Sequence, residues 1–239
     1  MKKLVIILLG LAFINDATAQ NTLDKIGLSA GTPAAGAFSL RLLSTSYAGA
    51  AIQVRRSSDN AVQDIGFIAG GNLDTISLKA FVTTNIGYVA TWYDQSGNGM
   101  NATQASSANQ PVIVNAGLVA RQNGSPCLTF SGSQWLSLSM GFVRATYPNA
   151  TVNMVYQNTS LTGSQGLWGC DDGGWDRLQL LSFAASPSAA YGLSNGGSTV
   201  ANATNNTNRN IYTAIMNYGA PNGTHVVING IAGTSFTEG

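Results

Sequence analysis

A chain of 239 residues with only 9% charged side chains, 11 basic and 10 acidic, has no clustered basic footprint of the kind that nucleic acid or an anionic membrane surface requires. Without Lys2, Lys3 and Asp16 the counts become 9 and 9, so the polar surface must come from neutral Ser, Thr, Asn, Gln and Gly. A single histidine, His225, and two distant cysteines exclude a zinc centre built from these side chains.

In chain order, Lys2 and Lys3 supply a positive start, Leu4 to Ile14 run apolar apart from Gly10, and Ala17-Thr18-Ala19 offers small residues to a signal peptidase. Residues 1–19 therefore read as a Sec-type signal peptide. Gln20 is then the mature N-terminus, and the destination is secretion or the cell surface. The apolar run is shorter than the roughly 20 residues a membrane helix needs, so no membrane insertion is expected once it is removed. Residues 20–239 suit one large all-β domain, or less comfortably two small ones.

The mature chain alternates short apolar runs with Gly/Asn/Ser/Asp clusters. Strands are expected over Ala51–Arg55, Gly87–Tyr93, Pro111–Asn115, Pro126–Phe130, Gln134–Leu138, Thr151–Tyr156, Arg177–Phe183, Asn210–Tyr218 and Thr224–Ile228. In Gly87–Tyr93, alternation puts Val89, Thr91 and Tyr93 on one face and Tyr88, Ala90 and Trp92 on the other. Two short helices are expected. One runs over Ala34–Leu43 behind Pro33, the other over Thr75–Val82 behind the N-cap Asp74. Residues 184–209 read as long loops. Asn229-Gly230 marks a hairpin, with Ile231–Thr237 as the return strand. The sequence ends soon after, which suggests a sandwich truncated at its C-terminus, with further domains of a longer chain as neighbours. Repeated short strands of this kind make an all-β jelly-roll sandwich with one or two short helices. Asn-x-Ser/Thr triplets at Asn101, Asn149 and Asn202 follow from an Asn/Thr-rich composition. Cys127 and Cys170 could form a disulfide in an exported protein, but their spacing carries no signature.

Three segments concentrate polar chemistry. Val54–Phe67 reads as a strand leaving into an Asx-type turn at Asp59-Asn60, with Arg55 or Arg56 paired to Asp59 or Asp64. In Thr91–Asn98, Asp94 stands where a strand gives way to a Gly-rich loop. Asp94 and Asn98 could line an oxygen-rich pocket for calcium or sugar hydroxyls, or the loop could bond to itself. One carboxylate alone is a poor calcium cage, so neither a metal site nor a cofactor is assigned. Leu167–Arg177 is the most site-like stretch. It gathers Trp168, Asp171, Asp172, Trp175 and Asp176 into eleven residues, the combination of flat aromatic faces and carboxylates that binds sugars. The plainer alternative is a loop with buried tryptophans and solvated aspartates.

These segments also carry a family resemblance. LRLLSTSYAGAAIQVRRSSDN (Leu40–Asn60), DIGF (Asp64–Phe67) and WYDQSGNG (Trp92–Gly99) followed by Asn101 resemble the catalytic domain of glycoside hydrolase family 54 α-L-arabinofuranosidases and exported bacterial relatives with a concanavalin A or laminin G-like sandwich. Fainter similarity continues through GLWGCDDG and IYTAIMNYGAPNGTHVVINGIAG. The resemblance implies a concanavalin A-like fold and release of arabinofuranose with retention, which requires two carboxyl groups about 5–5.5 Å apart. It also implies a nucleophilic Glu before the INGIAG-like strand and an acidic Asp after it. The only Glu here is Glu238, and Ala189–Asn202, where the nucleophile is expected, holds no carboxylate. The family's adjacent cysteine pair is replaced by Cys170-Asp171, and the acid would fall beyond Gly239. The catalytic residues are thus unassigned. The expected partner is a polysaccharide or other glycan, and nucleic acid is not expected. Three readings follow: a carbohydrate-recognition domain on an arabinofuranosidase-like scaffold, an active retaining arabinofuranosidase, or a laminin G-like adhesion or interaction module.

Overall fold

A computed structural model of the chain describes residues 21–29, 34–139, 149–160, 165–170, 178–182, 189–192, 198–200, 206–217 and 220–235. The chain divides into two compact units, residues 1–139 and 140–239.

The first unit opens with a one-turn helix, α1 (Thr22–Lys25). It continues through β1 (Ile52–Arg56), β2 (Val62–Ile65), α2 (Thr75–Val82), β3 (Gly87–Trp92), β4 (Ala102–Thr103), β5 (Val112–Asn115), β6 (Leu118–Val119), β7 (Arg121–Gln122), β8 (Ser125–Pro126) and β9 (Ser137–Leu138). The main sheet runs β2-β1-β3-β4-β9. In addition β5 pairs with β3, and β6 with β5. All these pairings are antiparallel, as short connections allow.

The core follows from alternation in β1, while β5 buries two neighbouring residues. Ile52 and Val54 of β1, Val89 of β3 and Ile113 and Val114 of β5 are fully buried, and Leu78 and Val82 of α2 join them. Helix α2 begins as the sequence implies. The Asp74 carboxylate accepts from the N–H groups of Ile76 (3.1 Å) and Ser77 (3.0 Å), satisfying donors that a helix start leaves open. In β3 strict alternation fails. Val89 lies opposite Val54, but Thr91 lies opposite Gln53 and Trp92 opposite Ile52, because the register shifts between Gln53 and Val54. One extra residue in β3 separates buried Val89 from the face that Thr91 joins.

The expected helix over Ala34–Leu43 is absent. This segment is extended, and its backbone bonds to residues far along the chain. Ala37 N–H donates to the Asp94 carboxylate at 2.8 Å, Leu43 N–H donates to Gln95 Oε1 at 2.8 Å, and Leu42 N–H donates to the Gly71 carbonyl at 2.7 Å. Distant acceptors replace the i−4 carbonyls that a helix would use.

The second unit holds two four-stranded antiparallel sheets. One runs β10 (Asn149–Gln157), β15 (Arg209–Asn217), β16 (His225–Ile228), β17 (Ile231–Ala232). The other runs β11 (Gln165–Cys170), β12 (Leu178–Ser182), β13 (Ala189–Gly192), β14 (Ser198–Val200). The expected loop over 184–209 thus contains two strands, whose Tyr, Thr and Val residues suit a pleated surface. Inward positions of the first sheet alternate as Tyr212, Ala214 and Met216 with Val226 and Ile228, and form a second core. Strand β17 is shorter than expected. The hairpin before it is as read: Asn229 and Gly230 both have positive φ (52° and 84°), the pairing of a type I′ turn. Asn123-Gly124 (φ 48° and 80°) makes the same turn between β7 and β8.

Candidate functional site

Carboxylates are scarce, so where each is spent decides what remains for chemistry. Asp24 is tied to the turn after Leu43: its oxygens accept from Ser44 Oγ at 3.0 Å and Thr45 N–H at 2.8 Å. The Thr45 N–H, first among its partners, lowers its pKa. Asp74 caps α2, and its pKa is lowered chiefly by the Ser77 hydroxyl.

Asp59 sits in the expected turn and binds Arg56 through two contacts, Nε to Oδ1 at 3.0 Å and Nη2 to Oδ2 at 2.6 Å. Arg56 also lies 4.8 Å from the Phe81 ring centre. The Arg56 hydrogen bonds bring Asp59 down from 3.8 to about 2. A depressed carboxyl pKa contributes stability that is complete above the unfolded value near 3.8 and is lost as pH falls towards 2. The melting temperature is therefore expected to fall between pH 4 and pH 2, and Asp59→Asn to flatten part of that slope in a thermal-melt series.

Asp94 is 4% exposed and spends both oxygens on its own loop and on residue 37. Oδ1 accepts from Ala37 N–H (2.8 Å) and Ser96 N–H (2.9 Å), and Oδ2 from Ser96 Oγ (2.7 Å) and Met100 N–H (3.0 Å). Asn101 closes the loop by accepting from Asp94 N–H at 3.0 Å. Gly97 and Gly99, with φ of 94° and 70°, let the chain fold back. Asn98 Nδ2 donates to the carbonyls of Ala34 (2.8 Å) and Ala35 (3.1 Å), and Gln95 Nε2 to those of Ser39 (2.9 Å) and Arg41 (3.1 Å). Of the two readings of this loop, the hydrogen bonds describe the self-bonded one. Among the described residues no group of three or more His, Cys, Asp or Glu could hold a metal ion.

Asp64 differs from the other four. It is exposed, and its Oδ1 accepts from Tyr93 Oη at 2.8 Å and Gln53 Nε2 at 3.2 Å. Its Oδ2 has no protein donor among the described residues. Burial first, and then the Asp64 bond, push the Tyr93 hydroxyl up to about 12, so it stays a donor at physiological pH. Sequence reasoning placed Asp64 only as an arginine partner. Its spacing from Tyr93 gives no local signal, because the contact is made across strands.

Trp168 of β11 lies opposite Leu180 of β12 and packs, half-buried, with Leu167 against the core around Tyr212. Tyr156 meets Tyr212 edge to face, with ring centres 6.4 Å apart, and the buried Tyr212 hydroxyl has no hydrogen-bond partner among the described residues. Asp171, Asp172, Trp175 and Asp176 lie outside the described residues. His225 is a strand residue opposite Ile215, as read. Cys127 is a half-buried free thiol whose pKa burial raises; the side chain of Cys170 lies outside the described set. Among the described residues no helix is long and apolar enough to cross a membrane.

Residues 25–160 match the family model described as "Alpha-L-arabinofuranosidase B, catalytic". The chain is 40% identical over 79 residues to the α-L-arabinofuranosidase B of Aspergillus oryzae, covering 32% of this chain and 16% of that protein. It is 36% identical over 110 residues to that of Emericella nidulans, covering 44% and 21%. The matched part thus spans about a fifth or less of these curated relatives. A glycoside hydrolase family 54 α-L-arabinofuranosidase, a Glu-to-Gln mutant soaked with 4-nitrophenyl α-L-arabinofuranoside, superposes with a TM-score of 0.59 at 15% identity, over 87% of this chain and 52% of that one. At that identity the likeness shows the fold alone, an all-β sandwich carrying short helices.

Proposed function

Because this chain belongs to the α-L-arabinofuranosidase B catalytic family, we propose that it is an exported protein that recognises arabinose-containing glycans through the segment Leu167–Arg177. Trp168 and Trp175 offer faces to sugar C–H groups, while Asp171, Asp172 and Asp176 accept from hydroxyls. The likeness to one solved chain over 87% of this sequence supports reading residues 20–239 as one sandwich domain. The charged start, apolar run and Ala17-Thr18-Ala19 support export. Mass spectrometry of protein recovered from the medium is expected to find Gln20 at the N-terminus.

The observation that carries recognition over hydrolysis is the carboxylate inventory. Retention needs a nucleophile and an acid/base 5–5.5 Å apart. The chain's single Glu is Glu238; Asp24, Asp59, Asp74 and Asp94 are each engaged by structural donors; and Asp64, with one oxygen left over, is a single carboxylate where retention needs two. A glycan array is expected to show binding to arabinose-containing glycans, weakened about tenfold or more by Trp175→Ala. Binding that Trp175→Ala leaves intact would move the site elsewhere.

Family membership favours a second reading, hydrolysis by two of Asp171, Asp172 and Asp176. Under the recognition reading, 4-nitrophenyl α-L-arabinofuranoside releases no more nitrophenol with the wild type than with the triple Asp→Asn variant at those positions. Release well above that variant establishes the enzyme.

A further inference from the structure

The outer face of the sheet β2-β1-β3-β4-β9 carries a continuous polar row. Asp64 lies opposite Gln53, Gln53 opposite Thr91, Thr91 opposite Thr103, and Thr103 opposite Ser137. Five strands at roughly 4.8 Å spacing make this row about 19 Å long. Asp64, Thr103 and Ser137 are exposed, and Gln53 and Thr91 half-buried. Two residues before Ser137, just ahead of β9, stands Trp135, 51% exposed. Its backbone is pinned on both sides. Trp135 N–H donates to the Asn109 carbonyl at 3.1 Å, and its carbonyl accepts from Gln104 Nε2 at 3.2 Å.

We propose that this row, with Trp135 at one end and Asp64 at the other, binds a neutral polysaccharide strand lying across the sheet, through residues other than those of Leu167–Arg177. The proposal shares only its ligand class with the reading above.

The side chains fit that occupant. The indole covers a sugar C–H face. Asp64 is preset by Tyr93 and Gln53, which hold Oδ1 and leave Oδ2 to accept hydroxyls. Thr91, Thr103, Ser137 and Gln53 can each donate and accept, as sugar hydroxyls do. Charge argues against a polyanion, because the row holds one carboxylate and no cation. Arg55, on the same face, is committed: its guanidinium lies 4.6 Å from the Tyr88 ring centre and donates to Gln110 Oε1 at 2.7 Å and Asn60 Oδ1 at 2.8 Å. A protein partner would need an apolar interface core, and beside Trp135 this face adds the exposed Val62 next to Asp64, too little apolar surface for one.

The test uses the full chain and insoluble arabinoxylan in a pull-down. Trp135→Ala and Asp64→Asn are each expected to lower retention about tenfold, and Trp135→Phe to keep most of it. Binding of 4-nitrophenyl α-L-arabinofuranoside should not change in any of the three, since one sugar unit does not need the row. Retention by Trp135→Ala and Asp64→Asn equal to wild type overturns the proposal. So does unchanged retention accompanied by loss of a dimer on sizing, which would make Trp135 a self-association contact. Trp135-dependent retention without binding of the small glycoside leaves this row standing and removes the Leu167–Arg177 reading.

Discussion

Replacing Asp94 by alanine is expected to destabilise the protein by about 4 kcal/mol, a fall in melting temperature on the order of 10 °C. The size comes from what the substitution strands. The carboxylate accepts four hydrogen bonds at 2.7–3.0 Å in a position only 4% exposed. Three of the donors are backbone N–H groups, of Ala37, Ser96 and Met100, which cannot turn elsewhere. A hydrogen bond to an ionised acceptor is worth about 1.5–3 kcal/mol, and an unsatisfied buried donor costs about 1–3 kcal/mol. Loss of the Ala37 bond also frees the extended segment that Gln95 and Asn98 help to hold, so the loosening should spread to residues 34–43. Asp94→Asn is expected to fall between, because the amide keeps one oxygen acceptor and turns an NH₂ towards a donor. Circular-dichroism melts of the three proteins read the effect. A shift below about 2 °C for Asp94→Ala would show that the loop does not depend on this carboxylate.

The second large effect belongs to Gly87, the first residue of β3. A Cβ there would stand 2.9 Å from Val82 Cγ2, 3.2 Å from Val114 Cβ and 3.3 Å from Val54 Cγ1. These three residues come from α2, β5 and β1 and are fully buried, so Gly87 stands where helix and sheet pack together. Gly87→Val is expected to cost about 3 kcal/mol by overpacking, and Gly87→Ala about half of that. The cause can be separated from backbone effects. Val82→Ala removes the nearest methyl, so Gly87→Ala should cost less in the Val82→Ala background than in the wild type. Urea midpoints for the four proteins of that cycle give the coupling. Additive costs would mean that Val82 is not what the new methyl meets.

Both residues show why parts of the structure were legible in the sequence and parts were not. Strands β1, β10, β15 and β16 alternate clearly enough to reveal which side chains turn inward, and the observed elements fall within two residues of expectation. Helix α2 announces itself through Asp74, and the Asn229-Gly230 hairpin through a dipeptide that tolerates positive φ. The Arg56–Asp59 pair was one of the local pairings readable from the sequence, which left Arg55 or Arg56 with Asp59 or Asp64; the fold chose among them. Ala34–Leu43 was misread because an apolar stretch behind a proline looks helical when its partners are unknown. Those partners, Asp94 and Gln95, lie more than fifty residues away. The Gly87 approach was invisible for a similar reason, as Val54, Val82 and Val114 surround it only in the folded chain.

The candidate sites divide in the same way. The sequence by itself determined the family, the signal-like start, the Trp/Asp-rich segment at Leu167–Arg177 and the near absence of glutamate, because composition and contiguous motifs do not require folding to be read. Tertiary structure decided that Asp94 is a structural tie. It decided also that Asp64, Gln53, Thr91, Thr103 and Ser137 fall in one row with Trp135 close by. That row exists only because antiparallel pairing and a one-residue bulge in β3 set the register, and register depends on strand pairs that no single segment contains.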